Sequence, residues 1–180
     1  MKLFHTSDII IKDPDIFHGR KNADFGQGFY LSPDYEFCKR WASKDAYINE
    51  YEFDTEGLDI VRLSRDSGWF DYIFANRRFN DTLDADVIIG PIANDTIYDT
   101  FGILSSGFLD PADALKLLLI GPEYTQVSIK SEKAKSHLKW LKAEKVSVDD
   151  SIRLKRTEEE SAYQADFAKC MEEIGEEDEA

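Results

Sequence analysis

The sequence is poor in several things that would have narrowed its function at once. Only two cysteines occur in 180 residues, Cys38 and Cys170, far apart and outside any spaced Cys/His set. Neither a disulfide framework nor a metal site is therefore indicated, and each thiol suits a small buried apolar position. No apolar run approaches the roughly 20 residues that cross a bilayer. The opening MKLFHTSD lacks the charged, apolar and small-residue order of a signal peptide, so a cytoplasmic chain with no membrane role is expected. GxGxxG and GxxxxGK[ST] loops are missing, which argues against a doubly wound nucleotide fold. A basic stripe is missing too. Lys and Arg number 22 against 36 Asp and Glu, for a net charge of −14. Residues 157–180, with ten acids and one lysine, hold −9 of it, and residues 1–156 the remaining −5. Nucleic acid is accordingly not expected as a partner, Arg77-Arg78 being the small cluster that could touch a phosphate.

What is present describes a packed globule. Hydrophobic residues make up 42% and aromatics 13%, enough for one domain over residues 1–156 followed by an acidic tail, 157–180. Lys2 to His5 reads as a first strand and Phe29-Tyr30-Leu31 as a second. Ser32-Pro33-Asp34 supplies an N-cap, a first-turn proline and an acid for a helix running to about Lys44, with Phe37, Cys38, Trp41 and Ala42 as its inward stripe. Tyr47 to Phe53 alternates like a half-buried strand, antiparallel or at an edge. Trp69, Phe70, Ile73, Phe74 and Arg77 fall in helical order. Val87 to Ile89 is an apolar strand, and Asn94-Asp95 caps a segment from Thr96 to Leu104. A helix spans Asp110 to Leu118, a strand 124–130, and a lysine-rich helix Ser131 to Lys142. Short strands without a steady strand-helix rhythm indicate an α+β domain with a split, mostly antiparallel sheet and flanking helices.

The stretch DFGQGFYLSPD, residues 24–34, sets Gly26 and Gly28 beside Phe29-Tyr30. Two readings of these residues are open. The glycines supply permissive backbone angles at a turn-to-strand junction, or they let backbone pass close to a flat ligand stacked on an aromatic. Taken singly, His5 reads as a strand-end histidine satisfied by backbone, Arg20 as a solvated arginine, and Trp41 as core.

Together, LFHTS and FGQGFYLSPDYEFCKRWAS resemble the His-bearing first strand and the Gly-x-Gly-aromatic-Tyr strand of ADP-ribosyltransferases of the diphtheria-toxin and poly(ADP-ribose) polymerase branch. With GRKNADFGQGFY, INEYEF, NRRF, DVIIGPIAND and TQVSIKSEKA, residues 2–142 look like a compact bacterial family of that superfamily, a domain of unknown function often encoded in toxin-antitoxin loci. The resemblance implies a fold of that kind and a cleft that binds NAD as substrate, with no metal. It places His5 on the histidine that bonds the adenosine ribose, and Tyr30 on the tyrosine against the nicotinamide ring. Trp41 falls on a second aromatic that completes a sandwich. Gly26 and Gly28 would keep the cleft floor clear. Arg20 would reach the pyrophosphate. Thr6 stands where the superfamily usually has Gly, whose backbone N–H and C=O grip the carboxamide; threonine offers the same atoms if its side chain turns away. Gln126 stands where the catalytic Glu is expected. It keeps a hydrogen bond to the ribose but supplies no charge.

The implied function is mono-ADP-ribosyl transfer to a protein or small-molecule acceptor, as the toxin of a bacterial pair with an antitoxin partner. The alternatives are an NAD glycohydrolase, or an NAD-binding or interaction module made catalytically weak by Gln126. Outside the resemblance, Tyr163, Phe167, Cys170, Met171 and Ile174 share a helical stripe. It predicts a helix that docks on this domain, a partner or a second copy, the last giving a homo-oligomer.

Overall fold

A computed structural model describes residues 1–42, 45–93, 109–147 and 150–178. In chain order these form β1 (Lys2–Ser7), β2 (Phe29–Leu31), α1 (Tyr35–Arg40), β3 (Ala46–Phe53), β4 (Ile60–Arg62), α2 (Ser67–Arg77), β5 (Val87–Pro91), α3 (Pro111–Leu118), β6 (Thr125–Ile129), α4 (Glu132–Ser136), β7 (Leu138–Val146) and α5 (Asp150–Asp178). They group into two compact units, Met1–Ile92 with Tyr124–Ile152, and Ala93–Glu123 with Arg153–Ala180. The boundary expected at 156/157 thus falls inside α5.

The first unit holds two sheets. One has the order β1-β3-β7, antiparallel throughout; the other has the order β2-β6-β5-β4, antiparallel except for the parallel pair β4–β5. The α+β class with a split, mainly antiparallel architecture agrees with the sequence. Strand alternation sends Leu3, Tyr51 and Phe53 of one sheet against Phe29, Leu31, Val87, Ile89, Val127 and Ile129 of the other, with Ile16 and Ala134 closing the core. Each large apolar side chain buried there contributes roughly 1.5–3 kcal/mol. The opposite face of the second sheet carries Gln126 and Ser128, which are buried as well. Helix α2 lies on that side, where the Trp69 indole N–H donates to the Pro91 carbonyl at 2.9 Å.

Four local expectations change. Asp34, not Ser32, caps α1, its carboxylate accepting from Phe37 N at 3.0 Å. Ser32 is held back by its backbone pairing with Phe4, so the chain turns helical only at Tyr35. The helix ends at Arg40 and Trp41 is its C-cap, 61% exposed rather than inward. β3 pairs antiparallel, as expected, but it is the middle strand rather than half-buried or at an edge: it is buried at all but Tyr47 and Glu52 because β1 and β7 flank it on both sides. The lysine-rich helix stops at Ser136, and residues 138–146 become β7: pairing with the second edge of β3 outweighs the helix preference of Lys, Ala and Glu. β4 had no signal beyond two β-branched residues. The proposed caps Asn94-Asp95 and the segment Thr96 to Leu104 lie outside the described residues.

In the second unit Asp110 caps α3 by accepting from Ala112 N at 2.8 Å and Asp113 N at 2.9 Å, with Pro111 in the first turn. Leu109 and Leu117 pack with Ile174 of α5, joined by Ile120, Phe167, Cys170 and Met171. The tail stripe is therefore docked within this unit. No described helix is long and apolar enough to cross a membrane.

Candidate functional site where two sheets part

The two sheets of the first unit are joined along β1 and β2 by one bridged pair. Phe4 N donates to Ser32 O at 2.8 Å, and Ser32 N to Phe4 O at 2.9 Å. A continuing antiparallel ladder would next pair Thr6 with Tyr30. Instead the His5 imidazole takes the Tyr30 carbonyl, with Nδ1 at 2.6 Å, and its ring lies 4.4 Å from that of Phe29. A carbonyl can only accept, so Nδ1 carries the proton and Nε2 is left as an acceptor. Burial lowers the His5 pKa and outweighs the opposing effect of the Tyr30 bond, which keeps the ring neutral.

Thr6 lies just beyond. Its hydroxyl donates to the Cys38 carbonyl at 2.6 Å, so the side chain is turned toward α1. Alternation along β1 then turns its backbone N–H and C=O to the same edge as those of Phe4, where the pairing with β2 has ended. Burial pushes the neighbouring Cys38 thiol up to about 12, so it is no thiolate nucleophile.

Tyr30 projects from the other face of β2, beside its cross-strand partner Ser128. Its hydroxyl donates to Gly26 O at 2.7 Å and accepts from Phe25 N at 2.9 Å, pinning the loop that precedes the strand. Burial raises its pKa, so the hydroxyl stays protonated. At Gly26 the permissive-backbone reading holds, and both glycines also avoid close contacts within the fold. Gly26 sits at φ +74°, and a Cβ there would run into the Asp81 carboxylate. A Cβ on Gly28 would strike Ser128 Oγ and lie 2.8 Å from the Ile129 carbonyl. Within the fold, what they clear is Asp81 and strand β6.

Gln126 shares the Tyr30 face of the sheet. It is 8% exposed, and its Nε2 donates to Asp24 Oδ2 at 3.2 Å. Asp24 also accepts from Arg77 in a largely buried ion pair, and its carbonyl accepts from Asn76 Nδ2 at 3.1 Å. A second cluster lies alongside: Lys130 Nζ pairs with Asp81 and donates to Phe25 O at 2.8 Å, while the Tyr72 hydroxyl donates to Asp81 Oδ1 at 2.8 Å. Asp24, Asn76, Tyr72, Asp81 and Lys130 carry no signal of their own as site residues in the sequence, and Arg77, a candidate phosphate contact there, is paired with Asp24 instead. The available signal was QVSIK, where Gln126 and Ser128 put two polar residues on one face of a buried strand and Lys130 follows its end.

The structure thus brings Tyr30 and Gln126 to one face of the second sheet, and His5 and Thr6 to the edge where the sheets separate. Trp41 stands apart from the Tyr30 ring, edge-on to Phe37 at 6.0 Å; Phe37 stacks on Tyr124 at 4.5 Å, two residues before Gln126. Arg20 is exposed on its loop, and among the described residues no ion pair or hydrogen bond joins it to the others. Among the described residues no group of His, Cys, Asp and Glu could hold a metal ion.

The sequence matches no curated protein. Residues 1–140 match the family described as "Protein of unknown function (DUF3990)". That match covers most of the chain, from β1 to the start of β7, and the chain belongs to this family.

Proposed function

We propose that the protein binds NAD at the parting of β1 and β2 and transfers its ADP-ribose to an acceptor. The observation that carries this reading is the edge of Thr6. One backbone N–H and one C=O, left beyond the last bridged pair, form a donor and acceptor set that matches a primary carboxamide such as that of nicotinamide. Beside it, Nε2 of a neutral, tautomer-fixed His5 accepts a ribose hydroxyl. Tyr30 supplies an aromatic face for a cationic ring, and the exposed Trp41, which stands apart from it, would join a sandwich only by moving. In the reaction the bond between ribose C1′ and the nicotinamide nitrogen breaks, and its electron pair returns to the pyridine ring. The acceptor nucleophile then bonds C1′ and gives up its proton. Gln126 accepts a hydrogen bond from the ribose; it adds no charge to the oxocarbenium-like state.

The resemblance in the sequence supports an ADP-ribosyltransferase-like fold and extends the reading to a bacterial toxin with an antitoxin partner. The acidic body favours a protein or small-molecule acceptor over nucleic acid. A second reading, an NAD-binding module with slow chemistry, draws on one observation: the nearest carboxylate to Gln126, Asp24, is already paired with Arg77. Incubation with NAD labelled in its adenylate separates these. Label on a macromolecule supports transfer, and free ADP-ribose supports a glycohydrolase. Binding without nicotinamide release supports the module, and no binding rejects all three.

A further inference from the structure

A glutamine amide has a donor end and an acceptor end of nearly the same shape, so an unrestrained one presents either. At Gln126 a neighbour decides. Nε2 lies 3.2 Å from Asp24 Oδ2, and a carboxylate paired with arginine can only accept, so the NH2 end is committed to Asp24. The flipped amide would set a carbonyl oxygen against a carboxylate oxygen at that distance. Asp24 itself is fixed: Arg77 holds its carboxylate, Asn76 holds its carbonyl at 3.1 Å, and it is 7% exposed. Both holding residues come from the last turn of α2, against which the 24–26 loop is packed.

We propose that Asp24 is the positioning residue of this site. Held by Arg77, it turns the Gln126 amide so that Oε1, rather than Nε2, is presented to the ribose hydroxyl of NAD. This rests on the NAD reading above. It accounts for a glutamine at a place where a glutamate is expected, because the oriented amide reproduces one carboxylate oxygen as an acceptor. The negative charge stays in the ion pair next to it.

The test uses the full chain and has an arm that needs no NAD. In 15N-labelled protein the Gln126 side-chain NH2 signals are identified by their loss in Gln126→Glu. Their exchange with solvent is then compared between the parent and Asp24→Asn. We expect exchange at least about tenfold faster in Asp24→Asn, the factor that corresponds to about 1.4 kcal/mol. NAD affinity, measured by calorimetry, should fall by about tenfold in the same variant. It should return to within about threefold of the parent in Asp24→Asn/Gln126→Glu, which exchanges the carboxylate and the amide between the two positions. A folded Asp24→Asn with unchanged exchange, or with unchanged NAD affinity, overturns the proposal. If Asp24→Asn does not fold, the exchanged pair decides: parent-like affinity supports the proposal and lost affinity overturns it. A parent that binds no NAD rejects the NAD reading instead, while the exchange arm still tells whether Asp24 orients the amide.

Discussion

His5 stands in for a backbone donor to Tyr30. Its Nδ1–H reaches the Tyr30 carbonyl at 2.6 Å, at the position where a continued ladder would have brought the Thr6 N–H. One side chain thereby keeps a carbonyl satisfied, ends the β1–β2 pairing and leaves the Thr6 edge available to a ligand. His5→Ala should weaken NAD binding and cost about 1 kcal/mol of stability, the net worth of one hydrogen bond, without unfolding the chain. Calorimetry with NAD and urea denaturation check both parts; unchanged affinity would show that the site is elsewhere.

The neutral His5 also gives a pH dependence. Its folded pKa is lowered by burial, so as pH falls through 6.5 the unfolded chain takes the proton first and unfolding is favoured. The contribution is complete above pH 6.5 and is lost below it. Urea midpoints between pH 5 and 8 should show this loss in the parent, and His5→Gln should remove that part of the slope.

Asp86 adds a lower window. Hydrogen bonds from Ser131 Oγ at 2.6 Å and Asp59 N at 3.0 Å, with Lys133 beside it, hold its carboxyl at about 2. A depressed carboxylate stabilises above its unfolded pKa, and that stability is lost as pH falls from about 4 to 2. Asp86→Asn should be less stable at neutral pH and show a flatter acid limb by circular dichroism.

Tyr30→Phe separates ring from hydroxyl. Phe25 N and Gly26 O would each lose their partner, at a cost of about 1–3 kcal/mol, while the aromatic face for NAD remains. The melting temperature should drop and NAD affinity at saturating folded fraction should hold. Gly28→Ala should likewise destabilise, by about 1–3 kcal/mol, because its methyl meets β6 backbone that cannot yield.

In the second unit Ile174→Ala should loosen α5 from Leu109 and Leu117, with a cost of about 2–4 kcal/mol to local opening. Hydrogen exchange at the α3 and α5 amides reads this directly. NAD affinity should not change.

Much of the fold was legible because local chemistry and burial agree. The alternation of Val127 and Ile129 with Gln126 and Ser128, the helical order of Trp69 to Arg77, and the Asp110-Pro111 start each specify an element whatever lies around it. The stripe of Phe167, Cys170, Met171 and Ile174 likewise announced a docking face. What sequence could not supply is anything that depends on a partner distant along the chain. Residues 138–146 became a strand because the β3 edge offered hydrogen bonds worth more than helix preference. Trp41 is outward because α1 runs for only six residues and Trp41 is its C-cap, not an interior position of the helix stripe. At the candidate site, sequence pointed to His5, Tyr30 and Gln126 as residue types; tertiary structure decided what their polar atoms are tied to. Asp24 and Gln126 are 102 residues apart, and Asp24 and Arg77 are 53 apart. No local pattern encodes such pairs, because a buried carboxylate finds its cation and its donor only once the strands and α2 have come together.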